Sequence, residues 1–385
     1  MFFLKLILRN IFRHKLRSSL TMLGIVVAIL SFGLLRTMVS AWYAGVEATS
    51  STRLITRNAI SLVVPLPTYY AQKIRQVEGV STVAGMNWFA GIYIDRKNFF
   101  PQFAVDPAPF LQLYPEYLLT DAEKRDFLHD RQACLVGEKI AKTYGWKLGD
   151  VIPLQGTIFP GNWSFVVRGI YRGADNKTDT SQLFFHWDAL NEKLKITTPR
   201  RANNIGVFAI GVNNSERAAE ISQSIDALFK NSLSETLTET EKAFQLSFVS
   251  MTETILIAVQ IVSFLVIFII MAVMANTMAM TARERSPEYA TLKALGFAPS
   301  KVAVLIFGES LAMALIGGGI GIALTYPAAA FIGDKLASVF PIFIVPPEVV
   351  TMGFMSALLV GLVAGLLPAL RVMQQKITDG LKSIA

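Results

Sequence analysis

One cysteine, Cys134, stands among 385 residues, so no disulfide can close within the chain and no cysteine-based metal cluster can be built. The three histidines, His14, His129 and His186, have none of the spacings that ligate a metal, and no Ser/His/Asp arrangement stands out. No G-x-x-x-x-G-K-[ST] loop occurs anywhere, so the chain by itself is not expected to bind and hydrolyse ATP. Charge is also scarce. Asp, Glu, Lys and Arg make up 17% of the residues against 52% hydrophobic ones, and the mean hydropathy of +0.46 is too high for an ordinary soluble protein.

What the chain has instead is long apolar runs. Uncharged or nearly uncharged stretches occupy 20–42, 251–280, 302–332 and 349–372, each long enough to cross a bilayer. Before the first, residues 1–19 place Lys5, Arg9, Arg13 and Arg17 at four-residue intervals beside Leu4, Ile7, Leu8, Ile11 and Leu16, which predicts an amphipathic basic helix on the membrane surface. A basic start, an apolar core and Val39-Ser40-Ala41 also imitate a cleaved signal peptide; the segment is expected to be retained as the first transmembrane helix. Within it, Arg36 is expected to snorkel outward, with Trp42 and Tyr43 at the interface.

The net charge of +8 sits beside these runs rather than on the long middle, which makes it a topological signal and excludes nucleic acid as a partner in favour of membrane lipid. Lys and Arg cluster before the first run, in 281–301 and in the tail 373–385, whereas the loop 333–348 carries only Lys335. Both termini and the 281–301 segment are therefore expected in the cytoplasm, and the middle, 43–250, on the other side. The middle alternates strand and helix patterns. Strands are expected at 60–64, within 80–94, and at 151–154, 165–171 and 204–212; helices are expected at 69–78, 138–144 and 215–230. Residues 107–131, with Pro109, Pro115 and a charged run from Asp121, look like an insertion or a crossing between subdomains, and 235–250 like a helical stalk back to the membrane; Asp175 and Asp179 are taken as solvated loop charges. The expected fold is an α-helical membrane protein with four transmembrane helices and a large α+β periplasmic domain inserted between helices 1 and 2.

The segment 281–309 holds the most specific pattern. Ser286 suits an N-cap, Pro287 a first helical position, Glu288 the positive end of the helix dipole and Gly296 a left-handed stop. The short helix between them sets Ala290, Leu292, Ala294 and Leu295 among Arg283, Glu284, Arg285, Glu288 and Lys293, a knob suited to a groove in a partner protein; a basic loop that only fixes topology is the other reading. Glu309 is an ionisable residue inside an apolar run and so a functional candidate. The run Gly317, Gly318, Gly319 and Gly321 suits a hinge or, preferably, close packing at a seam with a second copy, and the pair Gly361 and Gly365 suits close helix packing.

At this point the chain resembles the MacB/FtsX family of ABC transporter permeases, whose cytoplasmic loop reads roughly R-x-R-x-x-E-I-G-x-x-x-A-x-G with a Glu in the next helix. Arg283, Arg285, Glu288, Ala294, Gly296 and Glu309 fall into that pattern, while Tyr289 and Ala290 replace Ile-Gly. LRNIFRHKLRSSLTMLGI at 8–25, GLLPALRVMQQKITDGLKSI at 365–384 and LVGEKIAKTYGWKLGDVIPLQG at 135–156 are similar to further family segments, so the likeness covers most of the chain. The resemblance implies that 281–301 is a coupling helix gripped by an ABC ATPase dimer through Arg283, Glu284, Arg285, Glu288, Leu292, Lys293, Leu295 and Gly296, with Glu309 aiding coupling and Gly317, Gly321, Gly361 and Gly365 packing helices. It implies no cofactor on this chain, ATP and Mg on the partner ATPase, and assembly as a homodimer in a bacterial inner membrane. Mechanotransmission would move the periplasmic domain to export a drug, peptide or lipid-like substrate, with a periplasmic adaptor and an outer-membrane channel. Lipoprotein release, or FtsX-like control of a cell-wall hydrolase, are the alternatives within the family.

Overall fold

The computed structural model describes residues 7, 9–11, 13, 15–47, 49–336, 340 and 342–375. Most of the expected tail 373–385, and Leu4, Lys5, Leu8 and His14 of the expected surface helix, lie outside the described residues. The chain divides into two compact units: 1–41 with 252–334 and 343–385, and 42–251 with 335–342.

Helix α1 (Lys15–Glu47) leads into the second unit, which contains β1 (Arg53–Asn58), β2 (Leu66–Pro67), α2 (Tyr70–Arg75), β3 (Val80–Trp88), β4 (Gly91–Ile92), β5 (Gln102–Val105), α3 (Pro107–Leu113), β6 (Tyr117–Leu118), α4 (Asp121–His129), β7 (Ala133–Gly137), α5 (Glu138–Tyr144), β8 (Val151–Gly156), β9 (Gly161–Gly173), β10 (Leu183–His186), α6 (Trp187–Thr197), β11 (Asn204–Ile205), β12 (Val207–Val212), α7 (Ala218–Leu228), β13 (Thr236–Thr240) and α8 (Glu241–Met251). The main sheet runs β13-β1-β12-β3-β5-β10-β7-β9-β8-β4, with β6 pairing β9; β5–β10 and β7–β9 are parallel and the other pairs antiparallel.

Successive strand residues point to opposite faces, and here both faces are covered. Leu54 packs with Tyr70, Ile221 and Phe229 on one side, while Ile55 packs with Phe110, Phe127 and Tyr171 on the other. The same switch separates Phe184 from Phe185. Covered faces turn the strands into continuous buried runs, which is why β7 and β10 lack the alternation that marks an exposed strand.

Three expectations for this unit are corrected. Residues 60–64 are a turn, not a strand: the Asn58 side chain accepts from Ile60 N at 2.9 Å and ends β1 there, leaving Ile60 and Val63 almost wholly exposed. The stretch 107–131 is not an insertion; α3, β6 and α4 lie along it and bury Phe110 and Phe127. Helix α4 opens with a capping box in which Glu123 N donates to Thr120 Oγ1 at 3.3 Å and the Glu123 carboxylate accepts from Thr120 N at 2.9 Å. Finally, 235–250 is not wholly helical, because β13 pairs with β1 before α8 begins.

The first unit holds α9 (Glu253–Glu284), α10 (Ser286–Ala294), α11 (Pro299–Lys335) and α12 (Pro347–Gln374). Among the described residues four helices, α1, α9, α11 and α12, are long and apolar enough to cross a membrane. Their packing depends on glycine. A Cβ at Gly317 would lie 3.2 Å from Met22 O and one at Gly321 2.9 Å from Val26 O, so α11 meets the backbone of α1. Gly318 faces Ala357 of α12, and Gly361 and Gly365 lie against Leu311 and Ser310 of α11. Gly317 and Gly321 are thus occupied by the chain's own α1, and the expected seam with a second copy is not where they point. Ser310 Oγ donates to Gly361 O at 2.7 Å across the same contact.

Replacing Gly361 and Gly365 with Leu forces these two backbones apart, since the first added carbon already stands 3.0 Å from Leu311 Cα at Gly361 and 2.9 Å from Ser310 Cβ at Gly365. Overpacking costs about 1–3 kcal/mol per site. Purified double-variant chain should melt clearly below wild type in detergent, and an unchanged melting temperature would mean that the contact relaxes freely.

Candidate functional site

The sequence at the end of α9 folds into a short helix wired into the bundle. Pro287 fits the first turn of α10 and Gly296, at φ +91°, ends it. Phe297 N donates to Leu292 O and Gly296 N to Lys293 O, both at 3.1 Å, the paired bonds of a Schellman stop. Ser286 is not the N-cap: Arg285 holds that place as the single residue joining α9 to α10, and Ser286 Oγ accepts instead from Gln375 Nε2.

Arg285 is also the centre of a buried ionic chain. Its Nη1 donates to both Glu309 oxygens at 2.9 Å and its Nε to Glu288 Oε2 at 3.2 Å, while Asn10 Nδ2 donates to Glu309 Oε1 at 2.7 Å. The Arg285 and Glu309 side chains are only 10% and 5% exposed. Burial opposes the Arg285 charge, but Tyr289, Glu309 and Glu288 outweigh it and hold its pKa above the ordinary value. The chain continues outward: Arg13 Nη1 donates to Glu288 Oε1 at 2.7 Å, and Arg17 grips both oxygens of Glu284 at 2.5 and 2.9 Å. At the other end of α10, Lys293 Nζ donates to Val372 O at 2.5 Å and Gln375 O at 2.9 Å, neutralising the C-terminal carbonyls of α12.

These ties redistribute the expected contact set. Glu284, Arg285, Glu288 and Lys293 all bind within the chain, and Leu292 is half-buried against the bundle core. Tyr289 and Ala290, which stand where the family pattern has Ile-Gly, are both buried, Tyr289 in that core. What this segment presents outward is Arg283 at the end of α9, Thr291 and Ala294 of α10, and Leu295, Gly296 and Phe297 just after it, with Leu295 73% exposed. Sequence reasoning assigned Arg13 and Arg17 to lipid and missed Asn10. The signal was present: Arg13 and Arg17 are four residues apart, and so are Glu284 and Glu288.

A second buried cluster stands in the other unit, at the starts of β1 and α8. Arg53, first residue of β1, donates through Nε to Glu241 Oε2 at 2.8 Å, through Nη2 to Glu116 Oε1 at 2.6 Å and through Nη1 to Leu113 O at 2.7 Å. Its guanidinium stands 4.2 Å from the centre of the Tyr114 ring. Glu241, first residue of α8, also accepts from Ser50 N at 3.1 Å and Tyr114 OH at 3.3 Å. Burial opposes the charge on Arg53, yet Glu241 and Glu116 raise its pKa above the usual arginine value. Among the described residues no group of three or more His, Cys, Asp or Glu side chains could hold a metal ion.

Comparison with known proteins matches both units. A model of the MacB-like periplasmic core domain matches residues 18–228, and one of the FtsX-like permease C-terminal region matches 260–377. An uncharacterised ABC transporter permease of Methanocaldococcus jannaschii is 24% identical over 386 aligned positions, covering 94% of this chain and 92% of its own. Among solved structures, the periplasmic region of MacB from Actinobacillus actinomycetemcomitans is 11% identical with a TM-score of 0.37, covering 53% of this chain and 95% of that one. The extracellular domain of the ABC-type transporter YknZ from Gram-positive bacteria is 11% identical with a TM-score of 0.36, covering 49% and 100%.

Proposed function

We propose a function from one premise: the chain belongs to the MacB/FtsX-like family of ABC transporter permeases. In this reading it is the membrane subunit of an ABC transporter and takes its energy from a separate ATPase dimer that uses ATP and Mg. The observation that carries it is α10, a helix tied to the bundle through Arg285, Glu288 and Lys293 while its apolar C-terminal end, Leu295 and Phe297, is turned outward. A partner that grips this end moves α9, α11 and α12 with it. Basic residues beside α10 and before α1 support a cytoplasmic side for this end, which in this reading puts the large domain in the periplasm of an inner-membrane protein.

The motion drives export rather than opening a pore. Thr21, Thr37, Ser263, Ser310 and Thr325, polar side chains buried in the spans, all hydrogen-bond to backbone carbonyls of the chain itself, so they offer little to line a water path. The substrate class is drug, peptide or lipid-like, taken from the periplasm or outer leaflet, with a second copy of the chain completing the permease and an adaptor and outer-membrane channel downstream.

Leu295→Asp tests the grip. A charge placed in a buried apolar contact costs several kcal/mol of affinity, whereas on a solvated helix end it costs almost nothing. Copurification of the ATPase from native membranes should fall at least about tenfold while the amount of chain in the membrane is unchanged. Full ATPase recovery with Leu295→Asp would overturn the docking assignment.

A further inference from the structure

The buried arginines Arg53 and Arg285 have carboxylate partners, as do Arg13 and Arg17 beside α10; Arg36, half-buried inside α1, has none among the described residues. It follows residues 18–35, a stretch without charge about 27 Å long as a helix, and so stands at the end of the bundle opposite α10. Its Nη2 donates to Met352 Sδ of α12 at 3.4 Å, and its guanidinium lies 5.7 Å from the centre of the Phe264 ring of α9. A thioether is a weak acceptor and an aromatic face accepts no directed hydrogen bond, so most of the five N–H donors of a group that cannot deprotonate are left over. Among the described residues no Asp or Glu comes within ion-pair distance of it.

The surface beside it is apolar and continuous. Phe264 and Phe268 share one face of α9 a turn apart and are 57% and 65% exposed, and Met355 follows Met352 on α12 by about one turn. Because α9 runs from this end toward α10, Phe268 lies one turn deeper in the span than Phe264. A planar cation held at the head of an apolar strip that descends into the membrane fits one chemistry: an anionic head above an acyl chain.

We infer that Arg36, Phe264 and Met352 form a binding site for an anionic, phosphate-headed membrane amphiphile that enters from the bilayer, with its phosphate on the guanidinium and its chain along Phe264 and Phe268. The guanidinium fork suits two phosphate oxygens at once, with the Phe264 ring beside it at 5.7 Å. The inference deepens the proposed function, because it names the class of molecule at the end of the bundle where a substrate from the outer leaflet would arrive. It rests on that reading for the side of the membrane alone.

The test uses full-length chain carrying Phe268→Trp as a reporter, in phosphatidylcholine vesicles with a minor fraction of dibrominated phosphatidylglycerol or dibrominated phosphatidylcholine. Quenching that depends on the new tryptophan should favour the anionic lipid by about fivefold. The preference should vanish in Arg36→Gln and fall sharply in Arg36→Lys, which keeps the charge but loses the planar fork. Inorganic phosphate in the buffer should leave it unchanged, since a soluble anion has no chain to anchor it. Equal quenching by the two lipids, a preference that survives Arg36→Gln or is fully kept by Arg36→Lys, or its loss to free phosphate would each overturn the site. No ATPase takes part in the measurement, so its outcome is independent of whether α10 docks one.

Discussion

Glu309→Leu should destabilise the purified chain by roughly 3–5 kcal/mol, the largest effect of a single change in the membrane unit. It leaves the Arg285 guanidinium buried with only the longer contact to Glu288, at 3.2 Å, and strips Asn10 Nδ2 of its acceptor. Thermal unfolding in detergent measures the loss. The informative companion is Arg285→Met with Glu309→Leu, which removes both charges and refills the space with apolar atoms. Replacing a buried ion pair whole is often neutral for stability, so this double variant should recover most of the melting temperature. It should not recover transport, because α10 then has no bond to α11. A double variant as unstable as the single one would show that the surroundings cannot accept an apolar pair; a stable and fully active one would remove the ionic chain from coupling.

Arg53→Met should act as strongly in the other unit. The change strands Glu241, whose side chain is 8% exposed, and Glu116, at 26%, and again about 3–5 kcal/mol is at stake. For a unit of this size that corresponds to a fall on the order of 10 °C in melting temperature. Glu241→Gln is the control: it keeps the shape and an oxygen for Arg53 Nε, and Glu116 still balances the guanidinium, so its loss should be much smaller. Circular dichroism melts of the two variants side by side decide the matter, and equal losses would mean that packing, not charge, holds this corner.

The membrane helices were the most legible part of the sequence, because an uncharged stretch of some twenty residues has few other uses. The helix at 138–144 and the strands within 151–156 and 161–173 were also readable, since Gly145 and an alternating pattern mark them. Strands β7 and β10 escaped because each is buried on both faces, which leaves no alternation to find. Helix α4 escaped although Thr120 and Glu123 spell its capping box, because the charged run after Asp121 drew attention to solvent instead. At the candidate site, the position and ends of α10 were visible within a residue, whereas the role of each charge was not. Whether Glu288 faces a partner protein or Arg13 depends on a contact between segments 275 residues apart, and no local pattern carries that.

Strands β1 and β13 are antiparallel neighbours with Leu54 opposite Thr240, so the stretch 53–241, which makes up most of the second unit, begins and ends no farther apart than two strands of a sheet. Such a unit is an insertion whose ends are already together. Excising it at Arg53 and Glu241 and bridging the gap with a few residues would close a short loop at small entropic expense. The same geometry lets one membrane bundle carry inserted domains of very different size, since each needs only a neighbouring pair of strands where it begins and ends. Chimeras joined at these two residues would therefore exchange the inserted stretch while leaving the four membrane helices as they are.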